Sequence, residues 1–222
     1  MRTKDIQIKI IEHLDEFEKE NLDNDSLNFN DFLGFLNSQY NCDEIALRRL
    51  GGELEVNNKN MMDTAESEIS RLIGLMYRYA KHYIKKALTD SQIQTAEEFS
   101  FLILLLTYNS LTKSELISKN ILEKTSGVEV IKRLLNHGLI DQFDDPNDKR
   151  SQRVAITEQG KFALFNLLPK MHLVSEIIAG NLTTSEKNTL SFLLKKLDHH
   201  HHHIYSNDKA SSLDDIYSKE II

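Results

Sequence analysis

The stretch DDPNDKRSQRVAIT, residues 144–157, gathers three cationic side chains on one short loop. Asp-Pro-Asn is already enough to make a turn, so a plain hairpin has no need of Lys149, Arg150 and Arg153. Lysine and arginine bind phosphate oxygens, and arginine also suits the narrow, strongly negative minor groove of A·T-rich DNA. Asp148 can orient Arg150 through a carboxylate–guanidinium contact. The loop therefore predicts contact with a phosphate-bearing partner, and a solvated structural hairpin is the alternative.

Two predicted helix starts upstream of the loop carry a second set of polar side chains. The first offers a lysine and a serine, which together can hold a phosphate. The second offers a lysine, two hydroxyl groups and a glutamate that can accept from a cytosine amino group. Further along, Lys132 or Arg133 is expected to face the DNA backbone. With the loop, the predicted contact residues are Lys113, Ser114, Lys124, Thr125, Ser126, Glu129, Lys132, Lys149, Arg150 and Arg153.

The charge distribution singles out the same segment. The chain has a formal net charge of −7, which argues against a general affinity for polyanions. Residues 1–107 carry 12 basic and 19 acidic side chains, whereas residues 108–161 carry 9 basic and 8 acidic ones. The loop therefore lies in a segment whose basic side chains slightly outnumber its acidic ones, unlike residues 1–107.

Helices are predicted on either side of this segment. Apolar residues recur at helical spacing over 4–20 and 29–40, and again over a long stretch, 64–88, whose apolar face is wide enough for more than one neighbour. Residues 51–63 lack periodicity and are predicted to be a linker. A capping box, Thr183…Glu186, begins a helix over 183–197 near the C-terminus.

Shorter elements are predicted between these helices. Two more capping boxes, Thr95…Glu98 and Thr112…Glu115, begin helices that end near Tyr108 and Asn120. A helix over 124–137 follows, with Gly138 as a left-handed cap, although Ser126…Glu129 is a competing start about one turn later.

The loop itself lies between two short predicted strands. These strands cover 139–143 and 152–156, and Thr157 begins a helix that Pro169 should kink or break. Helix, turn, helix, strand, loop and strand in this order predict a helix-turn-helix followed by a β-hairpin wing. The predicted fold class is mainly α with a small β-hairpin wing.

Composition excludes several classes of protein. No apolar run approaches the roughly 18 residues needed to span a membrane, so a cytoplasmic location is expected. A single cysteine, Cys42, excludes an internal disulfide framework and a cysteine-based zinc site. No nucleophile–base pair, phosphate-binding glycine loop or HExxH pattern is present, so neither an enzyme nor a cofactor is predicted.

Residues 111–164, and above all DPNDKR followed by VAITEQGK, resemble the core of the MarR family of winged-helix transcription factors. Asp148 and Arg150 match the paired Asp and Arg of that family's wing, and Thr157 and Gly160 match its helix-opening Thr and Gly. The stretch TTSEKNTLSFLLKKL, 183–197, is similar to its last dimerising helix. The resemblance covers roughly residues 64–198. Two positions depart from the family pattern: Glu123 replaces the usual Ser or Thr cap, and Glu129 replaces a basic or amide side chain.

This resemblance implies a homodimeric, sequence-specific transcriptional regulator, usually a repressor, that binds a pseudo-palindromic operator. It implies a winged-helix domain at 63–198 with long dimerisation helices and a DNA-binding lobe at about 95–160. A helical extension and linker, 1–62, would precede that domain, and a His-rich polar tail, 199–222, would follow it. The recognition helix is expected in the major groove and the wing in the minor groove, with operator binding relieved by a small-molecule effector or another signal.

Alternatives stay open at several points. The module could bind a protein instead of DNA, an option favoured by Glu129 and the acidic surface. The run His199–His203 could make a metal-responsive regulator, or it could be a fraying helix end. Cys42 is a candidate oxidant sensor. Four aromatic residues could line an effector pocket or simply fill the core: Tyr77, Tyr79, Tyr83 and Phe101.

Overall fold

The structure is a computed structural model that describes residues 3–21, 28–39, 64–146, 148, 150–207 and 211–220. The chain divides into two compact units, 1–68 and 69–222. Three features of the sequence lie outside the described residues: Cys42, the linker 51–63 and the wing cation Lys149.

The first unit contains a helical pair, α1 (Thr3–Glu20) and α2 (Phe29–Gln39), close to the two predicted ranges. The pair is held by aromatic packing, because Phe17 and Phe32 are buried and their ring centroids lie 5.5 Å apart. Phe35 packs on Phe17 at 5.4 Å. Tilted aromatic pairs at such distances add to the stabilisation from buried area.

The remaining elements begin with the long helix α3. They are α3 (Ala65–Ala87), α4 (Ala96–Tyr108), β1 (Ser110–Thr112), α5 (Lys113–Lys119), α6 (Lys124–Asn136), β2 (Ile140–Asp144), β3 (Gln152–Ile156), α7 (Glu158–Ala179), α8 (Thr184–Asn207) and α9 (Leu213–Glu220). The predicted class, mainly α with a small β wing, is confirmed.

The three strands form one antiparallel sheet in the order β1-β3-β2. Val154 at the centre of β3 faces Leu111 of β1 on one side and Gln142 of β2 on the other. The wing strands were predicted to within one residue, but β1 was not predicted. Three residues are too few for a visible alternation, and β1 forms only because β3 offers it a free edge.

One hydrophobic core joins the helices and the sheet of the lobe. Phe101, Leu102 and Leu105 of α4 are fully buried, together with Leu134 of α6 and Val154 of β3. Each such side chain contributes about 1.5–3 kcal/mol through its removal from water. This burial fixes the orientation of α6 and the wing relative to α4.

A knot of hydrogen bonds joins the end of α6 to the start of α7. Gly138 ends α6 with φ +66°, the left-handed conformation that was predicted. The Thr157 hydroxyl donates to the Gly138 carbonyl at 2.7 Å and accepts from the Gly160 N–H at 2.9 Å. The Thr157 N–H donates to the Leu139 carbonyl at 3.1 Å. A Cβ atom on Gly160 would overlap that same carbonyl, so this position requires glycine.

α7 differs from two sequence expectations. It runs as one helix through Pro169, so of the predicted kink or break the break was wrong, and the kink stays a prediction. It is also long and apolar enough to cross a membrane by length and composition, contrary to the expectation that no segment would be. Its first turns have another use for their apolar residues, since Ala163, Leu164 and Leu167 are buried in the core.

α8 is longer than predicted. It passes the expected end near residue 197, includes the whole run His199–His203 and ends at Asn207. The Thr183…Glu186 capping box at its start is confirmed, because the Thr183 N–H donates to Glu186 Oε2 at 2.6 Å and the Glu186 N–H donates to the Thr183 hydroxyl at 3.3 Å. The segment expected to be a polar tail is therefore helical over 199–207 and again in α9.

Candidate nucleic-acid interface

The start of α5 is fixed by a reciprocal capping box. The Glu115 N–H donates to the Thr112 hydroxyl at 3.2 Å, and the Thr112 N–H donates to Glu115 Oε2 at 2.8 Å. The Thr112 N–H also lowers the pKa of Glu115, because it stabilises the carboxylate form. Lys113 and Ser114 consequently occupy a well-defined first turn.

Lys113 is held in place by the wing. Its Nζ donates to Gln152 Oε1 at 3.1 Å, and Gln142 Nε2 donates to the same oxygen at 2.7 Å. Gln152 therefore links α5 to both wing strands. Sequence reasoning missed this residue, although its outward position beside Arg153 on β3 was a usable signal.

α6, which is expected to be the recognition helix, begins at Lys124, so the competing start at Ser126 was wrong. Its cap residue Glu123 makes no side-chain cap bond. Lys124, Thr125 and Ser126 are exposed on its first turn. Helix N–H groups that no side chain caps are available to an anion such as phosphate.

Glu129 and Lys132 pair with each other on the outer face of α6. Lys132 Nζ lies 2.6 Å from Glu129 Oε1, and both side chains are about 60% exposed. This hydrogen bond lowers the pKa of Glu129. The negative charge of Glu129 is thus matched locally, which weakens the electrostatic objection to DNA binding at this helix.

Arg133 turns in the opposite direction, towards α4. Its Nε donates to Glu98 Oε1 at 2.7 Å, and Glu98 is completely buried. Glu98 Oε2 accepts from the Gln94 N–H at 2.7 Å. The predicted capping box at Thr95 is therefore only half formed. The Thr95 hydroxyl accepts from the Glu98 N–H, but the Glu98 carboxylate, which also binds Arg133, accepts from the Gln94 N–H and not from that of Thr95. Of the pair Lys132 and Arg133, the lysine is the outward residue.

Asp148 shapes the wing turn through the backbone. Its Oδ1 accepts from the Arg150 N–H at 3.0 Å, and its carbonyl accepts from the Ser151 N–H at 2.8 Å. The prediction of a carboxylate–guanidinium contact was therefore wrong in this structure. A carboxylate two residues before an N–H closes a local turn more readily than it reaches a long side chain. Arg150 is exposed at the tip.

Arg153 differs from the other wing cation that the structure describes. Its guanidinium donates to Asp145 Oδ2 at 3.1 Å, to the Ser110 carbonyl at 2.8 Å and to the Ser110 hydroxyl at 3.0 Å. Asp145 is only 6% exposed. Arg153 thus ties β1 to the base of the wing, apart from the outward-facing cations with which it was grouped.

The outward-facing polar residues meet at a cavity of about 780 Å³. It lies between the first turns of α5 and α6, the wing and the end of α8. Its polar and charged lining residues are Lys113, Ser114, Ser118, Lys124, Asp144, Arg150, Ser151, Gln152, Tyr205 and Ser206. Four of the predicted contact residues are thereby brought together, while the others on α6 lie outside this lining.

The other candidate sites are distributed differently. Phe101 is a core residue, whereas Tyr77 is 61% exposed, so the four aromatic residues do not line one pocket. A second cavity, of about 310 Å³, is lined by Asp90, Ser91, Gln92, Phe162, Ala163, Asn166, Leu167 and Lys170. Within the described ranges, no group of three or more His, Cys, Asp or Glu side chains is placed to hold a metal ion.

Comparisons with known proteins agree with this geometry. Residues 104–160 match the family described as a winged helix DNA-binding domain. The HTH-type transcriptional repressor NicR of Pseudomonas putida is 25% identical over 140 residues, which are 61% of this chain and 88% of NicR. Together with the β1-β3-β2 sheet, these matches define a winged helix-turn-helix DNA-binding domain.

Two solved structures share the fold. MarR from Escherichia coli, as a mutant complexed with operator DNA, is 24% identical with a TM-score of 0.55, covering 59% of this chain and 93% of MarR. BpsR of Bordetella bronchiseptica, whose DNA binding is regulated by 6-hydroxynicotinic acid, is 21% identical with a TM-score of 0.55, covering 59% of this chain and 98% of BpsR. In sequence this chain is similar to NicR, and in fold it is similar to MarR and BpsR.

Proposed function

We propose that this protein is a homodimeric repressor of the cytoplasm that binds a pseudo-palindromic operator through α6 and the wing. The observation that carries the proposal is the convergence of Lys113, Lys124 and Arg150 on one outward-facing cavity. In an acidic chain such a cluster is the surface with the chemistry to bind DNA phosphates. That NicR is a transcriptional repressor supports the sign of regulation.

Each group has a proposed role. Lys113 and Ser114 hold a backbone phosphate at the start of α5, since a cation and a hydroxyl group lie next to each other there. Lys124, Thr125 and Ser126 lie along the major groove, where short polar groups reach base edges. Glu129 and Lys132 lie further along the same helix face as further contacts.

The wing is proposed to enter the minor groove. Arg150 is exposed at its tip, and Lys149 is proposed as a second wing cation. Asp144 also lines the cavity, and its carboxylate opposes phosphate binding. The position of the wing against DNA therefore depends on attraction between phosphate and the wing cations and on repulsion between phosphate and Asp144.

Dimerisation is proposed from the apolar side chains that stay exposed on the long helices. Ile73 and Met76 of α3 are nearly half exposed, as are Leu193 and Leu194 of α8, while Phe165 of α7 is 52% exposed. A soluble protein normally covers apolar surface of this kind with a partner, most often a second copy related by twofold symmetry. Two recognition helices would then contact half-sites about 34–36 Å apart.

An aromatic carboxylate is the proposed class of effector. BpsR responds to 6-hydroxynicotinic acid, and the 310 Å³ cavity offers Phe162 for a ring, Lys170 for a carboxylate and Asn166 for a polar substituent. This volume is at the lower end of small-molecule sites. The cavity adjoins α7, which the hydrogen bonds of Thr157 join to α6.

Fluorescence anisotropy with a selected operator and a scrambled duplex, each over a salt series, tests the proposal. Arg150→Ala should cost about 1–3 kcal/mol of binding per half-site and should leave folding intact. Lys113→Ala should weaken both duplexes alike and flatten the slope of log affinity against log salt by about two units per dimer. Lys187→Ala removes the same charge from an exposed position outside the cavity lining, so it is the matched control.

Three results would contradict the proposal. The first is wild-type protein without salt-dependent DNA binding, as a protein-interaction module would behave. The second is an Arg150→Ala variant that binds as tightly as Lys187→Ala. The third is a folded monomer of 25.7 kDa in light scattering at micromolar concentration. The same titration with added 6-hydroxynicotinic acid tests the effector class, because Lys170→Ala should reduce any release of the operator.

A further inference from the structure

The end of α8 lies beyond the part of the chain that resembles the family. The resemblance ends at about residue 198, and α8 continues for nine residues to Asn207. At 1.5 Å per residue this extension adds about 13 Å. The extension brings Tyr205 and Ser206 to the wall of the cavity that also contains Lys113, Lys124 and Arg150.

The extension is seated on one face. Leu197, His200 and Ile204 are half-buried, at spacings of three and four residues, whereas residues 183–196 of the same helix are all exposed. Such spacing places the three side chains on one stripe of a helix. Tyr205, next to this stripe, is half-buried as well and lines the cavity.

The chemistry of the extension suits a polyanion. Its sequence, HHHHHIYSN, contains no acidic residue. Tyrosine and serine hydroxyl groups are neutral donors that commonly bind DNA phosphates. A segment that occupied the cavity in place of DNA would be expected to carry carboxylates for Lys113 and Lys124, as α9 does with Asp214 and Asp215, but neither of these residues lines the cavity.

We propose that the end of α8 is a third DNA-contacting element, beside α6 and the wing. Tyr205 and Ser206 face the sugar-phosphate backbone of the strand that Lys113 holds. The inference rests on the proposed DNA binding and extends the interface beyond the winged-helix lobe. DNA in the cavity is flanked by the wing on one side and by α8 on the other.

Paired charge variants of the full-length protein test this placement. Ser206→Lys should tighten operator binding about threefold to tenfold and steepen the salt slope by about one unit per protomer, because it adds one phosphate contact. Ser206→Glu should weaken binding by a similar factor. Ser218→Lys and Ser218→Glu make the same charge changes at an exposed position of α9 outside the cavity lining, and they should change affinity less than twofold. Tyr205→Ala should weaken binding about threefold or more, and thermal melts verify that each variant folds.

Two results would overturn the inference while DNA binding itself stands. The first is wild-type protein that binds the operator with a steep salt dependence while the Ser206 and Ser218 pairs behave alike. The second is tighter binding by Tyr205→Ala, which would make the end of α8 an obstruction and not a contact. Wild-type protein without salt-dependent binding removes both this inference and the proposed function.

Discussion

The buried ion pair between α4 and the recognition helix allows a sharp test of how α6 is positioned. Arg133→Met replaces the guanidinium with an apolar side chain of similar length and good helix propensity. The Glu98 carboxylate, which is completely buried, is then left with the Gln94 N–H as its one partner among the described residues. A carboxylate in this position has lost its countercharge.

The expected cost follows from the burial of the two partners. Removing one side of a buried pair destabilises a protein by about 3–5 kcal/mol. Because the Arg133 side chain is 39% exposed, water reaches part of the space it leaves, and we expect about 2–3 kcal/mol. For a chain of this size the melting temperature should fall by about 4–12 °C. Operator affinity should fall as well, since α6 loses its polar tie to α4.

The assay is thermal and urea unfolding at one fixed protein concentration, because the proposed dimer would melt in a concentration-dependent way. Lys132→Met is the matched control: it breaks the neighbouring pair with Glu129, but both partners are about 60% exposed, so the loss should stay within the scatter of surface substitutions. Adding Glu98→Leu to Arg133→Met should recover part of the stability, since no buried charge is then left unpaired. The reasoning is refuted if Arg133→Met and Lys132→Met unfold within 0.5 kcal/mol of each other, a margin taken from the scatter of surface substitutions.

Two further predictions concern the fold around the site. Gly160→Ala should destabilise the protein by about 3 kcal/mol or more, because its Cβ overlaps the Leu139 carbonyl, whereas Gly34→Ala, which meets nothing within 4 Å, should be neutral or slightly stabilising in the same urea titration. Glu115→Gln should lower the melting temperature at neutral pH: the capping box lowers the pKa of Glu115, so its contribution is present above the usual glutamate pKa and is lost as the pH falls through the lowered one. The difference between wild type and variant should therefore shrink below about pH 4, and equal differences at both pH values would count against this explanation.

Much of the fold could be predicted because its signals are local. The Thr112…Glu115 and Thr183…Glu186 boxes are encoded within four residues, and both form. At position 138, glycine predicts a left-handed helix cap from its residue type alone, and its φ is positive. The alternation of Val154 and Ile156 fixes β3 in the same way. Elements of this kind need no knowledge of distant partners.

The misplaced side chains depend on residues far away in sequence. Arg153 was grouped with the outward cations, but its partner Ser110 lies 43 residues upstream on β1, a strand without a sequence signal. The Glu98 carboxylate does not complete its capping box, and it accepts a hydrogen bond from Arg133, which is 35 residues away. The length of α8 was underestimated because five consecutive histidines have modest helix propensity, and packing on one face overrides that preference.

The hydrogen bonds of Thr157 connect α6 directly to α7. Hydrogen bonds from Thr157 to the Gly138 and Leu139 carbonyls join the end of α6 to the start of α7, so we expect the two helices to move together. α7 has 22 residues and is therefore about 33 Å long. A swing of roughly 5° about its far end moves the start of α7 by about 3 Å, close to the spacing of about 3.4 Å between successive base pairs. In the proposed dimer, such a swing would displace one recognition helix relative to the other by nearly one base-pair step.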